Sequence, residues 1–475
     1  MTAIAVDSHD DATRGGAGRR PLPTRVVVII ITALALGVAA GNFIRTPDAP
    51  TRRATATAST VDAAQRVAQF EQATRTNPDD ARAWQRLAIT SVQAVAEGQP
   101  LALYNRAAAA LEHAERLAPG DRMNDVAGGY LALARHDFAR ARTLGSRAHA
   151  SDPFDSDALA ILVDANVELG YYDDATRTVE QLLAVRPSLA AYSRLSYIRE
   201  LRGDIDGALE AFALAETAGT GSPADLANVV SLRGTVAVTH GDPDEAEQLF
   251  RRARTYLSTA TNDAGTARVL IARGELPAAE TLLEAAMQAS PSPSVALLLD
   301  EIYVTTGNES GRAEIARFLS ANTAEERAAG ADVDMEASLI AADHGQWHLA
   351  RRLAQAAHDH RPQNIFTAAA LAWAWHGNGD DRRAQPLIER ALRLGTRDPV
   401  LHYRAAEIFA ANGAPRRAAQ ELATAFGINP IFSLRYQASA CALGARLHVP
   451  CPSSEWIDSE FGPTHAHRSA DAALD

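Results

Sequence analysis

The stretch LAILVDANVELGYYDDATRTVEQLLAVRP, residues 159–187, decides the fold. Leu159, Leu162, Val163 and Val167 fall at i, i+3, i+4 spacing, the apolar face of a helix. Gly170 interrupts that pattern; lacking a Cβ, it can adopt positive φ and end the helix. Asp173 and Asp174 follow, carboxylates suited to the positive end of a new helix dipole. Ala175, Val179 and Leu182 give the second helix its face, and Pro187 stops it. The unit is helix, tight turn, helix, stop.

Working outward, the mark at Gly170 recurs as His136, Gly203, Gly241, Gly274, Gly307, Gly345, Gly379 and Gly413. The spacings along this series are 34, 33, 38, 33, 33, 38, 34 and 34 residues, so one small unit is copied and stacked. Five residues after most marks stands an alanine: Ala141, Ala175, Ala208, Ala246, Ala279, Ala350, Ala384 and Ala418. A larger side chain where helices cross closely would prop them apart, at about 1–3 kcal/mol. The unit after Gly307 departs, with Arg312 at its alanine position. Its second helix either shifts to use Ala313 and Ala316 or follows a longer turn. The two 38-residue spacings call for extra turn residues, expected in Thr217–Pro223 and Asn322–Gly330.

Several copies carry a fuller pattern. Tyr192-x2-Leu195 precedes Gly203, Ala208, Phe212 and Ala215; Gly274, Ala279, Leu283, Ala286 and Pro291 repeat it; Gly413, Ala418, Leu422, Ala425 and Pro430 close the series. An earlier copy runs from Trp84-x2-Leu87 to Pro119, and Phe70, Ala73 and Pro78 supply the second helix of a partial one. This resembles the tetratricopeptide repeat over roughly residues 62–430. The resemblance implies an all-α fold, a right-handed α-solenoid of about ten helix–turn–helix repeats, whose first helices line a concave groove for peptides or partner helices. It places Tyr130, Asp164, Tyr197, Arg268, Glu301, Trp373, His376, Tyr403 and Glu407 on that face. Aromatic and arginine anchors suit an interface; the alternative is that several simply pack on adjacent first helices. The family's lysine clamp for a partner's terminal carboxylates is not expected, because the chain contains no lysine.

The N-terminus is of different material. Residues 1–25 are polar and read as a disordered tail. Residues 26–44, between Arg25 and Arg45, have only Thr32 and Asn42 as polar members. At about 1.5 Å per residue they span roughly 28 Å, near the hydrocarbon thickness of a bilayer. A transmembrane or signal-anchor helix is therefore expected, followed by a Thr/Ala/Pro-rich linker over 45–61. Arg14, Arg19, Arg20 and Arg25 before the span, against Arg45, Arg52 and Arg53 after it, favour a cell membrane, single-pass topology with the repeats extracytoplasmic. Val38-Ala39-Ala40 also resembles a signal-peptidase site, so secretion after cleavage near Ala40 stays open.

Residues 431–475 read as a C-terminal capping helix and flexible tail. They hold both cysteines, Cys441 and Cys451, a candidate disulfide in an exported protein. A formal charge of −12 gives no basic surface for nucleic acid. The absence of lysine removes Schiff-base and phosphate-loop lysine chemistry. No Gly-x-Ser-x-Gly, His-Glu-x-x-His or Cys-x-x-Cys stands in the chain. His344 and His348 have i, i+4 spacing, but Gly345 breaks the helix between them; His358, His360 and His376 lie nearby, and solvated or capping roles are expected for all. The expectation is a non-enzymatic, cofactor-free, membrane-anchored scaffold for an unidentified protein or peptide, in envelope or secretion assembly. The alternative is an accessory subunit binding a lipid or small hydrophobic ligand.

Overall fold

The computed structural model describes residues 63–218 and 222–452, and among them there are helices and connecting turns but no strand. The tail 1–25, the span 26–44, the linker 45–61, residues 219–221 and residues 453–475 lie outside the described residues. Among the described residues no helix is long and apolar enough to cross a membrane.

Helix α1 (Ala63–Thr76) stands alone as the second half of a partial unit. Hairpins follow: α2 (Ala81–Ala96) with α3 (Leu103–Leu117), α4 (Arg122–Ala134) with α5 (Phe138–Ser151), and α6 (Ser156–Leu169) with α7 (Tyr172–Val185). Next are α8 (Leu189–Leu201) with α9 (Ile205–Thr217), α10 (Pro223–Thr239) with α11 (Pro243–Tyr256), and α12 (Ala260–Ala272) with α13 (Leu276–Ala289). The second half comprises α14 (Pro293–Thr306) with α15 (Glu309–Ala328), and α16 (Asp334–Asp343) with α17 (Trp347–His360). It continues through α18 (Ile365–Gly377) with α19 (Asp381–Ala391), then α20 (Pro399–Ala411) with α21 (Pro415–Ile428). A final helix, α22 (Leu434–Leu447), lacks a described partner.

The marks do what their spacing requires. All of them have positive φ, from +59° at His136 to +84° at Gly241. A left-handed non-glycine residue costs roughly 1–2 kcal/mol; at His136 the ring Nδ1 lies 2.7 Å from the Asp332 carbonyl oxygen, a contact that offsets part of that cost. The eight alanines are fully buried between crossing helices.

The two helices of a unit differ in burial. Thr367 to Ala374 are buried without interruption in α18, and α6 is likewise enclosed from Ala158 to Val167. The paired α19 buries only Ala384, Ile388 and Ala391. First helices are therefore core, and second helices carry one apolar stripe against them.

The unit after Gly307 departs from both expectations drawn for it. Helix α15 starts at Glu309 and buries Ile315 and Leu319, while Ala313 is exposed. Gly311 takes the close-approach position, since a Cβ there would sit 2.5 Å from the Tyr303 ring. Nor do the extra residues form a loop at Asn322–Gly330: α15 continues to Ala328 and the break falls after it. No proline or glycine stands between Arg312 and Ala329 to end the helix earlier.

The stacked units coil back upon themselves. His136 meets Asp332, Glu168 pairs with Arg361, and Leu201 accepts from Thr396, across 196, 193 and 195 residues. Asn429 donates to the Val238 carbonyl across 191. The near-constant separation, roughly six 34-residue units, identifies a seam between two superhelical turns. Within-unit turns of the first half press on between-unit loops of the second. Apolar cores cross it: Ile365 belongs with Leu159, Val163 and Val179, and Ala329 with Leu101, Tyr104 and Leu131.

Candidate functional site

The nine residues assigned to a groove fall into separate groups, most of them enclosed. Tyr130 is buried and donates to Asp157 (2.8 Å), while Asp164 accepts a two-pronged bond from buried Arg194 at 2.8 and 2.7 Å. Tyr197 packs between two apolar clusters. Arg268 lies near Glu301, and burial pushes the guanidinium down and the carboxyl up. Trp373, only 6% exposed, stacks on His376 at 4.9 Å and packs on Tyr403 at 6.2 Å. Tyr403 is 2% exposed and donates to Glu407 (3.0 Å). His376 faces Asp381 at 2.5 Å. Trp373, Tyr403 and Tyr130 thus follow the packing alternative.

What fills the inner face near the C-terminus is the chain itself. The Leu434 N–H donates to Glu301 (3.1 Å), Arg435 pairs with Asp300 and donates to the Asp343 carbonyl (3.0 Å). Tyr436 donates to the Asp343 carboxylate (2.6 Å) and packs on Trp373 and Tyr403 at 5.9 and 5.2 Å. The sequence places a capping helix within residues 431–475 but not what that helix covers, so Phe432, Arg435 and Tyr436 are not among the residues it singles out. The sequence signal lay in the apolar spacing of Ile431, Leu434 and Ala438, which continues the pattern past Pro430. Cys441 and Cys451 are disulfide-bonded with Cα atoms 5.0 Å apart, tying α22 to the segment that follows it.

His358 is buried against the Thr367 hydroxyl (3.3 Å), His360 faces Asp332, and His344 lies 3.8 Å from Asp300. Among the described residues no cluster of three metal-binding side chains occurs.

Two surfaces remain accessible. Between-unit loops and helix ends of the first half expose Leu117, Phe154, Val185 and Leu257. Phe154 is 76% exposed. At the seam, a small solvent-open cleft lies between α3, the end of α4, α15 and α16. Tyr104, His136, Asn322, Glu326 and Glu336 line it together with apolar side chains. Burial, with Glu336 nearby, pushes the Glu326 carboxyl up to about 7, against a hydrogen bond from Asn322 and the field of His136.

Residues 162–223 and 231–294 match the family model for the tetratricopeptide repeat. Those two stretches are tetratricopeptide repeats. A structure of Naa15/Naa10 bound to HypK-THB aligns at 16% identity and a TM-score of 0.27, over 81% of this chain and 63% of that one. The chain therefore spans less than two thirds of that protein's length. A crystal structure of the APC/C hetero-tetramer Cut9-Hcn1 aligns at 14% identity and TM-score 0.36, over 81% and 93% of the two chains. YrrB, described as a TPR protein with an unusual peptide-binding site, aligns at 17% identity and TM-score 0.29, over 43% and 97%. No curated protein matches the sequence.

Proposed function

We propose that this chain is a protein-binding scaffold held at a membrane by residues 26–44, with its repeats on the extracytoplasmic side in an envelope or secretion assembly. The observation that carries the binding reading is the tetratricopeptide match over residues 162–223 and 231–294, a repeat that serves as a protein-interaction scaffold. The Cys441–Cys451 disulfide supports an oxidising compartment.

The partner surface is best placed on the exposed rim of the first half, around Phe154 and Leu257, because the chain's own residues 432–436 cover the inner face near the C-terminus. Exposed apolar side chains in a polar surround are the usual anchors of an interface. The net charge of −12 favours a partner with a basic face.

The test is affinity purification of the full chain from membranes, with a Phe154→Asp, Leu257→Asp variant alongside. Loss of a co-purifying protein with unchanged circular dichroism supports the rim. Undiminished capture by the variant overturns it. Protease accessibility of the repeats from the cytoplasmic side would overturn the topology.

A further inference from the structure

We propose that the open rim of within-unit turns at α17, α19 and α21 is a second docking surface, fitted to a carboxylate-rich segment of a partner protein. It rests on the scaffold reading and adds a surface opposite in sign to the rim around Phe154.

The net charge conceals a division along the chain. Residues 63–344 hold 25 arginines against 41 aspartates and glutamates, whereas residues 345–450 hold 13 against 7. The change of sign is sharpest at one position of the repeat. The two residues before the buried alanine are Asp173 and Asp174 in α7, and Asp244 and Glu245 in α11. In α19 they are Arg382 and Arg383, and in α21 Arg416 and Arg417.

The acidic set is answered within the chain. Asp173 pairs with Arg202 at 2.6 Å, Asp244 with Arg273 at 2.7 Å, and Glu245 with Arg233 at 3.0 Å. The basic set is met only in part. Arg417 pairs with Glu389 and Arg383 with Asp380, while Asp381 of the same turn faces His376. Arg352, Arg382 and Arg416 are exposed and have no ion-pair partner among the described residues.

Nothing local accounts for arginine at these places. The first turn of a helix lies at the positive end of its dipole, where a carboxylate is favoured and a cation is not. Helix α21 opens at Ala414 without a side-chain cap to offset that. The turns themselves are uncovered. A Cβ at Gly345, Gly379 or Gly413 would meet nothing within 4 Å, unlike one at Gly170 or Gly203 in the seam. The arginines therefore lie along a free edge.

The partner follows from charge and from what this edge lacks. A guanidinium presents a fork matched to the two oxygens of a carboxylate. Arg382 and Arg416 repeat at the 34-residue period, so the charges recur as separate points on stacked units. A chain bearing carboxylates at intervals can follow such points. A bilayer surface also attracts cations, but interfacial docking combines them with apolar side chains that insert. Among the described residues the exposed large apolar side chains, from Leu117 to Leu257, all precede this edge.

The experiment uses the full chain in phosphatidylcholine nanodiscs, at an ionic strength of about 0.15 M. A fluorescein-labelled, capped peptide of alternating Glu and Ser is titrated by fluorescence anisotropy, with Gln replacing Glu in the control peptide. Saturable binding of the glutamate peptide and none of the glutamine peptide is expected. Arg382→Glu with Arg416→Glu should weaken binding at least about ten-fold. Arg86→Glu with Arg317→Glu makes the same change of net charge at exposed sites elsewhere, and should weaken it less than about two-fold. A carboxylate suits the first turn, so the rim variant should melt no lower than wild type. Arg382→Gln with Arg416→Gln, which only removes charge, serves should the reversal disturb the fold. Absence of saturable binding, its retention in a folded rim variant, or equal weakening by the control pair would overturn the proposal. Displacement of the peptide by phosphatidylglycerol vesicles, but not by phosphatidylcholine vesicles, would also overturn it and assign the rim to lipid. The Phe154→Asp, Leu257→Asp variant should bind the peptide as wild type does, which separates failure at this rim from failure at the other.

Discussion

The backbone N–H of Ile365 donates to the hydroxyl of Tyr172 at 3.0 Å, across 193 residues of chain. Ile365 opens α18 and is fully buried, while Tyr172 opens α7. The bond therefore joins the start of a helix in one superhelical turn to the start of a helix in the next. Asn364 donates to the Glu168 carbonyl beside it (2.9 Å), and Arg361 pairs with the Glu168 carboxylate at 3.1 Å. Neighbouring units hold the solenoid along its length; contacts of this kind hold one turn to another.

Tyr172→Phe removes one hydroxyl and leaves the Ile365 N–H buried without an acceptor. An unsatisfied buried donor costs about 1–3 kcal/mol. Urea denaturation should show a loss of that size, and hydrogen exchange should rise first around residues 361–368. Unchanged exchange there would remove the seam's claim to stability.

Glycine marks should divide into two classes on substitution. A Cβ at Gly170 would lie 2.2 Å from the Gln363 carbonyl carbon, and one at Gly203 would lie 2.5 Å from the Gly395 oxygen. At Gly345, Gly379 and Gly413 it would meet nothing within 4 Å. Gly379→Ala should cost only the left-handed conformation, roughly 1–2 kcal/mol. Gly170→Ala should add overpacking against backbone, about 1–3 kcal/mol more. Paired thermal melts of the two variants decide this.

Stability should fall as pH rises from 6 to 9. Burial, with Asp398 nearby, pushes Glu200 up to about 8, and Glu326 stands at about 7. In the unfolded chain a glutamate titrates near about 4.3. A folded pKa above the unfolded one gives stability that is complete below the unfolded value and is lost as pH passes through the folded value. Asp332, which is lowered by its hydrogen bond from His360 despite burial, acts oppositely, but only toward acid pH. Melting temperature should be lower at pH 9 than at pH 6, and Glu200→Gln should flatten the slope.

Trp373→Ala with Tyr403→Ala should destabilise the second half rather than leave it intact. Both rings are buried against Tyr436, and removing a large buried aromatic costs about 3–5 kcal/mol. A cooperative unfolding transition shifted by several kcal/mol is expected. A variant as stable as wild type would return these residues to a solvent-facing groove.

Reduction of Cys441–Cys451 should loosen α22 selectively. A loop closed over a sequence separation of 10 contributes about 2–3 kcal/mol on a chain-entropy basis. Dithiothreitol should raise hydrogen exchange across residues 434–447 while leaving α4 to α7 unchanged.

The repeating unit was legible because its causes are local. Positive φ at Gly170 and full burial of Ala175 depend on the turn and the crossing of two adjacent helices, both within one 34-residue window. The joint near residue 322 was misread because spacing reveals extra residues without saying whether they lengthen a helix or a loop. At Trp373 and Tyr403 the sequence leaves groove and packing readings both open, since an apolar ring on a first helix looks the same whether ligand or chain covers it.

The sequence by itself determined the helical pair, its period, its turn residues and the small residues at its crossings, because each rests on contacts between residues close in the chain. Only the tertiary structure decided that the solenoid returns on itself, so that Gly170 faces Gln363 while Gly379 faces open space. It also decided that Tyr436 covers Trp373 and that Asn322 and Glu336 share a cleft with Tyr104. Such meetings depend on small rotations between units summed over roughly six of them. No residue pattern within a single repeat records that sum.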